Sequence, residues 1–193
     1  MSLTDFDKEL LATNLLGATT LEELHQKEKI VTNAKMIALQ NMPIVGRLDY
    51  DHLKKIHAFL FEDVYSWAGK DRYEIGVTAA FGKGTTLFTA YDKLPTVSKA
   101  LFGALEEENF FKDQSRETFA KSAAVFMNGL NIMHPFREGN GRVQRLFMEY
   151  LAKEAGHELS FRSVTEQEML KASINGAKGN IYYMQQLFRK VLR

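Results

Sequence analysis

Residues 134–145 concentrate the side chains of this chain that could do chemistry. The segment holds one His, three Arg, one Glu, one Asn and two Gly between two apolar stretches with helical spacing. The second stretch begins near Asn140, and the first N–H groups of a helix attract anions because they lack helical partners. Gly139 and Gly141 allow the backbone to approach a phosphate closely. The segment therefore predicts a phosphate-binding loop.

The charged side chains of this loop suggest separate tasks. Arg142 and Arg145 are three residues apart and share one helical face, and a planar guanidinium group suits phosphate oxygens. Glu138 is the one carboxylate among these cations, and Mg²⁺ beside a polyphosphate usually takes one or two carboxylates. His134 is the side chain that can accept a proton near neutral pH.

Each of these residues also has an ordinary structural interpretation when it is taken alone. His134 would then cap a helix, the two glycines would form a turn, and the arginines would lie on a solvated face. Together, however, they supply a base, an anion site, a metal ligand and two phosphate clamps. That combination favours phosphoryl-type transfer, whose catalysis consists mostly of positioning and charge stabilisation.

The elements that position this loop are predicted to be helices. Thr20 with Glu23, and Thr165 with Glu168, have the capping-box spacing that marks a helix start. The spacing of apolar residues predicts helices after Thr20 to about Gln40, after Asp49, from about Tyr91 to Glu107, from about Arg116 to Met133, from near Asn140 to Ala155, after Thr165, and at the end of the chain. On the first of these, the predicted inner face comprises Leu24, Ile30, Val31, Ala34 and Ile37.

A β-hairpin is predicted at about residues 72–88. The segment contains Tyr73, Ile75, Val77, Thr78 and Phe81, followed by the turn-forming sequence Gly82-Lys83-Gly84. The fold class is therefore all-α, a bundle of about seven helices with one small hairpin, in a single domain over residues 1–193.

The bulk composition excludes several classes of protein. A formal net charge of +1 does not favour nucleic acid or a membrane surface as a partner, and the absence of cysteine excludes a thiol nucleophile. The polar, acidic first residues lack the pattern of a signal peptide, and no apolar run approaches the length that spans a bilayer. The expectation is a cytoplasmic protein.

The loop also resembles the motif of a known family. Residues 134–145 match the Fic motif His-x-Phe-x-(Asp/Glu)-Gly-Asn-Gly-Arg-x-x-Arg at each of its eight specified positions. The segment 63–72 is similar to the stretch that precedes the family's flap hairpin, and Asn14-Leu15-Leu16-Gly17 resembles the start of the compact bacterial members. The resemblance covers nearly the whole chain.

This resemblance implies a Fic fold and a protein adenylyltransferase that uses ATP and Mg²⁺. His134 would deprotonate a Tyr, Ser or Thr hydroxyl of a target protein, and that hydroxyl would attack the α-phosphate of ATP. Phe136 would anchor the loop, and Glu138 would hold Mg²⁺. Arg142 would bind the β-phosphate and Arg145 the γ-phosphate, so that His134, Arg142 and Arg145 form the implied catalytic set.

The resemblance also implies three groups of binding residues. Arg137 belongs to the implied phosphate-binding set, and backbone N–H groups of the loop with the Asn140 side chain would form the anion hole. The loop residues concerned are Gly139, Asn140 and Gly141. The implied adenine pocket comprises Asn175, Gly179 and Asn180, for which a helix-breaking turn is an equal alternative. The implied flap that docks a target segment comprises Thr85, Thr86, Leu87 and Phe88.

The family also suggests how such a protein is regulated. Many members carry an inhibitory helix with the pattern Ser/Thr-x-x-x-Glu-Gly/Asn, whose Glu pairs with the motif's last Arg, here Arg145. Thr19 to Glu23 fits the first five positions of that pattern, but Leu24 follows them. Restraint by a small antitoxin-like partner in trans is therefore the hypothesis.

Two alternatives stay open at this point, and neither oligomeric state nor the target is fixed. The chain could transfer another group, as a Fic-fold phosphotransferase or another nucleotidyltransferase, although kinase relatives depart from Gly-Asn-Gly-Arg. It could also be a catalytically silent binding module. Compact relatives act inside the cell and secreted relatives are translocated into a host, and no secretion module is visible in this sequence.

Overall fold

The computed structural model describes residues 3–83 and 86–193. Within this range the chain forms two compact units, and the prediction of a single domain over 1–193 remains a prediction. The first unit comprises the described residues up to Arg47 together with Asp51–Lys70. The second unit comprises Leu48–Tyr50 and Asp71–Arg193.

Eight α-helices account for most of the residues that the structure describes. They are α1 (Asp5–Thr13), α2 (Leu21–Asn41), α3 (Tyr50–Phe61), α4 (Leu94–Glu107), α5 (Arg116–Met133), α6 (Asn140–Glu154), α7 (Glu166–Ala177) and α8 (Tyr182–Val191). Short 3₁₀ turns occur at Tyr91–Lys93, Asn109–Phe111 and Phe161–Ser163. The prediction of an all-α fold is confirmed, and α1 is the helix that the apolar pattern did not predict because it buries only Leu10.

Residues with hydroxyl side chains cap the N-termini of several of these helices. In four of them the N-cap hydroxyl accepts a hydrogen bond from the backbone N–H three residues later, which satisfies one of the unpaired donors of the first turn. The four N-cap residues are Thr4, Thr20, Ser115 and Thr165. The capping box predicted at Thr165 and Glu168 is complete.

In the first unit, α2 buries Leu24 as predicted, but other positions of its inner face differ from the prediction. Ile30 is 71% exposed and Ile37 is 61% exposed, so the prediction that they face inward is wrong. The inner positions are taken instead by Glu28 and Thr32, whose hydroxyl donates to the Glu28 carbonyl oxygen. The Glu28 carboxylate accepts a hydrogen bond from the Tyr65 hydroxyl, and a satisfied carboxylate can occupy a position where an apolar pattern predicts an aliphatic residue.

In the second unit, α5 is the central helix. It packs against α4, α6, α7 and α8, and its predicted apolar stripe is buried. The buried stripe comprises Phe119, Ala123, Phe126, Met127 and Leu130. The side chain of Asn131 on α5 donates to the Ser173 carbonyl oxygen on α7 at 3.3 Å. The C-terminal end of α5 is therefore held by its neighbours, and that end carries the loop 134–145.

The β-hairpin is present but shorter than predicted. Strand β1 (Gly82–Lys83) pairs antiparallel with β2 (Thr86–Leu87), whereas residues 72–76 form turns and 77–80 are irregular. The Asp71 carboxylate accepts hydrogen bonds from the N–H groups of Tyr73 and Glu74, each at 2.9 Å. These local bonds withdraw the donors that a strand would need for its ladder.

No helix in the described part of the chain is long and apolar enough to cross a membrane.

Candidate phosphate-transfer site

The segment 134–145 forms a closed loop between α5 and α6. The Asn140 amide closes it, because Oδ1 accepts from the Phe136 N–H at 2.9 Å and Nδ2 donates to the Phe136 carbonyl oxygen at 2.7 Å. Both residues are buried, and the expected anchoring of the loop by Phe136 is confirmed. The Asn140 side chain thus holds the shape of the loop, while its predicted place in the anion hole remains a prediction.

His134 is the C-cap residue of α5, and its backbone is in the left-handed region with φ 43° and ψ 62°. Its N–H donates to the Leu130 carbonyl oxygen, which also accepts from the Gln144 amide on α6. The ring Nδ1 lies 3.3 Å from the Asn131 carbonyl oxygen. When Nδ1 carries the proton and donates to that oxygen, Nε2 keeps its lone pair and can accept a proton.

Two phenylalanines that flank the hairpin surround the imidazole of His134. The Phe88 ring stacks on it with centroids 3.7 Å apart and planes 4° apart. The Phe81 ring lies 6.0 Å from it, and the Phe88 N–H donates to the Phe81 carbonyl oxygen. The structure therefore places Phe88, predicted as part of a docking flap, directly against the candidate base.

The other predicted flap residues lie in β2 or outside the described residues. Thr86 pairs with Lys83, and Leu87, which is 76% exposed, pairs with Gly82. Thr85 lies outside the described residues. Target docking by this hairpin remains a prediction.

The N-terminus of α6 has the form of an anion site. Its N-cap residue is Gly139, with φ 80°, which has no side chain that could accept a hydrogen bond from the first N–H groups. A β-carbon added at residue 141 would lie 3.3 Å from Arg145 Nη1, which shows that this guanidinium group lies over Gly141. The N–H groups of a first helical turn, the helix dipole and a guanidinium group all favour an anion at this point.

Glu138 and Arg142 lie beside one another at the edge of this site. Glu138 Oε1 accepts from the Gly139 N–H at 2.8 Å and lies 3.5 Å from Arg142 Nη2. The Glu138 side chain is 40% exposed and that of Arg142 is 23% exposed. Both groups are therefore accessible to a ligand that binds at the start of α6.

The donor set fits a Mg²⁺ ion that arrives with a nucleotide. The described residues contain no cluster of three or more metal-ligating side chains, so they do not form a complete metal cage. Glu138 offers one accessible carboxylate next to the anion site. Mg²⁺ bound to phosphates commonly takes one or two carboxylates and completes its octahedron with phosphate oxygens and water.

Arg145 is half-buried and its charge is poorly compensated. Burial lowers the pKa of its guanidinium group, as does the neighbouring charge of Arg142, while Glu149 and Glu166 oppose that shift. Within the described part of the chain Arg145 forms no ion pair. It lines a cleft of about 200 Å³ with Phe161, Val164, Thr165, Glu166 and Met169. A partly desolvated cation beside a cleft binds an incoming anion strongly.

Arg137, predicted to bind phosphate, lies elsewhere in the loop. Its side chain is buried, and the guanidinium carbon is 5.7 Å from the centroid of the Phe81 ring. This cation–π contact favours a part in positioning the loop against the hairpin, and direct phosphate binding by Arg137 remains a prediction.

Of the three residues predicted for an adenine pocket, Gly179 and Asn180 lie in the turn between α7 and α8, and Asn175 lies in the last turn of α7. Asn175 donates to the Lys171 carbonyl oxygen, Gly179 has φ +87°, and Asn180 Oδ1 accepts from the Tyr182 N–H. These bonds agree with the helix-breaking alternative. They leave the adenine role a prediction.

Arg72 was not among the predicted site residues. Its guanidinium group is fully buried and donates to the carbonyl oxygens of His134, Met133 and Thr89. The residue lies in the segment that resembles the family's pre-flap stretch, yet its spacing does not distinguish it from a surface arginine.

Fold and loop together define a class of helical domains in which a loop rich in Gly and Arg joins two central helices. The chain belongs to the Fic/DOC family, whose family model matches residues 47–152. The resemblance found in the motif is therefore confirmed.

Individual relatives agree with this assignment. The chain is 37% identical over 179 residues to protein adenylyltransferase VbhT of Bartonella schoenbuchensis, covering 93% of this chain and 36% of VbhT. It is 31% identical over 179 residues to the probable protein adenylyltransferase Fic of Escherichia coli K12, covering 93% of this chain and 86% of that protein. The chain thus spans about a third of the length of VbhT.

A solved structure has the same fold. The BepC protein of Bartonella tribocorum, a VirB-translocated effector crystallised with bound AMPPNP, superposes with a TM-score of 0.84 at 27% identity. The superposition covers 93% of this chain and 91% of that chain.

Proposed function

We propose that this protein is an adenylyltransferase that moves AMP from ATP onto a Tyr, Ser or Thr hydroxyl of a target protein. The observation that carries the proposal is the loop 134–145, which holds an imidazole at its start and, where it enters α6, a glycine-capped helix N-terminus with two guanidinium groups. Relatives named as protein adenylyltransferases, and a neighbour solved with AMPPNP, support AMP as the transferred group.

His134 is the proposed general base. The Asn131 carbonyl oxygen lies within reach of Nδ1 and favours the tautomer in which Nε2 accepts a proton. Nε2 takes the proton of the target hydroxyl as its oxygen bonds to the α-phosphorus. The bond between that phosphorus and the bridging oxygen to the β-phosphate breaks, and pyrophosphate leaves.

The N-terminus of α6 is the proposed cradle for the phosphates. N–H groups of the first turn of α6, around Gly141, stabilise charge on the phosphate oxygens, Arg142 holds the β-phosphate, and Arg145 holds the γ-phosphate. Glu138 would hold Mg²⁺, which when bound neutralises charge on the phosphates.

The target segment is proposed to dock at the hairpin. The strands are short, and Leu87 is mostly exposed in β2. An extended segment that paired with this edge would lie near Phe88 and hence near the imidazole it stacks on. The chemistry therefore selects a target with a hydroxyl side chain in an extended, accessible segment.

Labelled ATP distinguishes AMP transfer from the alternatives. The purified chain is incubated with a cell lysate, Mg²⁺ and ATP labelled on either the α- or the γ-phosphate, beside a lysate without the chain. We expect protein-bound label from α-labelled ATP alone, and its loss when EDTA removes the metal. Label from γ-labelled ATP alone would make the protein a phosphotransferase. Absence of label from both would overturn transfer and favour a silent binding module.

We also propose that a partner restrains this activity in trans. The carboxylate of Glu23, the one near match to the inhibitory pattern, accepts from the Thr19 N–H and pairs with Lys27 at 2.8 Å. Glu23 is thus engaged at the start of its own helix, which supports the interpretation of this segment as a helix cap.

Expression of the chain alone tests the partner hypothesis. Because the proposed restraint comes from a partner, we expect the chain expressed alone to inhibit bacterial growth, and the same chain with His134→Ala to be harmless. Growth is followed by optical density after induction, with immunoblots to match protein levels. A chain that is harmless and inactive until Glu23 is replaced by Gly would contradict restraint in trans.

A further inference from the structure

We infer that Arg72 is a positioning residue for the candidate base, and that it fixes His134 to the hairpin. The inference rests on the proposed AMP transfer for its kinetic consequence, but its structural consequence can be measured without any activity.

The contacts of Arg72 converge on the end of α5. Nε donates to the His134 carbonyl oxygen at 2.9 Å, and Nη2 donates to the Met133 carbonyl oxygen at 3.2 Å. The backbone N–H of Arg72 donates to the Pro135 carbonyl oxygen at 2.8 Å. Three consecutive carbonyl groups around the candidate base are therefore held by one residue that lies far away in the sequence.

The same guanidinium group also binds the segment that follows β2 of the hairpin. Nη2 donates to the Thr89 carbonyl oxygen at 2.7 Å, and the Thr89 N–H donates to the Ile132 carbonyl oxygen at 3.0 Å. Thr89 follows Phe88, whose ring stacks on the imidazole of His134. Arg72 thus sets the spacing between the stacking ring and the imidazole.

His134 needs such support because its backbone conformation is unfavourable. A φ of 43° places it in the left-handed region, which residues other than Gly seldom adopt. A conformation of that kind persists where surrounding contacts determine it. The bonds from Arg72 to the carbonyl groups of residues 133–135 supply that determination.

Burial of the Arg72 charge indicates that this geometry is maintained at a cost. The guanidinium group is fully buried, and within the described range its Nη1 has no hydrogen-bond partner. Burial lowers the pKa of Arg72, and the adjacent Asp71 opposes that shift. The Asp71 carboxylate in turn accepts a hydrogen bond from the Tyr50 hydroxyl at 2.7 Å. A buried charge with an incomplete set of partners is better explained by placement of its neighbours than by stability.

Kinetics of Arg72 variants provide the first test, and Arg116→Lys is the matched control. Arg116 also donates to backbone carbonyl oxygens, those of Arg189 and Leu192, away from the loop. We expect Arg72→Met to lower kcat about a hundredfold, and Arg72→Lys about tenfold, because an ammonium group cannot hold three carbonyls in a fixed fork. The Kd for ATP should change by less than about threefold, since Arg72 does not touch the phosphate cradle.

Nuclear magnetic resonance of the imidazole provides the second test. The ring current of Phe88 should shield the carbon-bound protons of His134, whose signals are identified by their loss in His134→Ala. In Arg72→Lys these signals should move toward the values of an unstacked imidazole, and in Arg116→Lys they should stay in place. The inference would be overturned by an Arg72→Lys protein that is folded and fully active and whose His134 signals keep their wild-type positions.

The two tests separate this inference from the proposed function. If the wild-type chain transfers no AMP, the imidazole signals still report whether Arg72 positions His134. If both Arg72 variants fail to fold, the Hε signal of Arg72 in the wild-type protein tests whether Arg72 holds the His134 carbonyl group. We expect slow exchange and a coupling across the hydrogen bond to the His134 carbonyl carbon, and a rapidly exchanging Hε without that coupling would refute the inference.

Discussion

Replacement of His134 by alanine is expected to abolish AMP transfer while the fold persists. General-base catalysis contributes roughly 10²–10⁴-fold, so labelling from α-labelled ATP should fall by about that factor. The Kd for ATP should stay within about threefold of wild type, because the phosphate cradle lies in the next helix and is built from other residues. Initial rates of labelling and calorimetric titration with ATP measure the two quantities.

The backbone of residue 134 calls for a matched variant. Alanine tolerates the left-handed conformation at φ 43° poorly, whereas asparagine adopts it more readily. His134→Asn should therefore be as inactive as His134→Ala and keep a Tm nearer to that of wild type. Near-full activity in either variant would rule out His134 as the base.

Replacement of Arg145 by methionine is expected to weaken ATP binding but not ADP binding. Charge-assisted hydrogen bonds contribute about 1.5–3 kcal/mol, and each ~1.4 kcal/mol is tenfold, so the Kd for ATP should rise about ten- to a hundredfold. The proposed contact of Arg145 is with the γ-phosphate, which ADP lacks. Binding of ATP and ADP to both proteins, measured by calorimetry, checks the difference.

Arg189→Met is the control for the loss of a positive charge. Arg189 pairs with Glu117 on the surface, at 2.6 Å. Its replacement by methionine removes the same unit of positive charge as Arg145→Met. It should leave both nucleotide affinities unchanged within about twofold, because exposed charges are screened by solvent and salt. An equal loss of ATP and ADP affinity in Arg145→Met would place its guanidinium group on the β-phosphate instead.

The central helices and the loop could be predicted because their signals are local. The apolar stripe of α5 repeats at helical spacing, and the predicted bounds Arg116 to Met133 are those observed. The groups of the loop lie within residues 134–145, so one segment of sequence contains most of the proposed chemistry.

The remaining features depend on contacts between residues far apart in the sequence. Arg72 lies 62 residues from His134, and no periodic pattern connects a single buried arginine with the carbonyl group it binds. The prediction for the inner face of α2 was wrong at some positions for the same reason, because the burial of Glu28 depends on the hydroxyl of Tyr65. Periodicity identifies apolar faces, but it does not identify polar groups whose partners come from another element.

The bonds between Asn140 and Phe136 bear on how fast a nucleotide can be captured. They close the loop internally, so the N–H groups at the start of α6 are already arranged when the chain is free of ligand. A site that is preformed in this way loses little conformational entropy when a ligand arrives. If Arg142 and Arg145 bind the phosphates as proposed, we expect the rate of capture to be set by diffusion and by steering of the polyanion toward these two residues, and to fall as ionic strength rises.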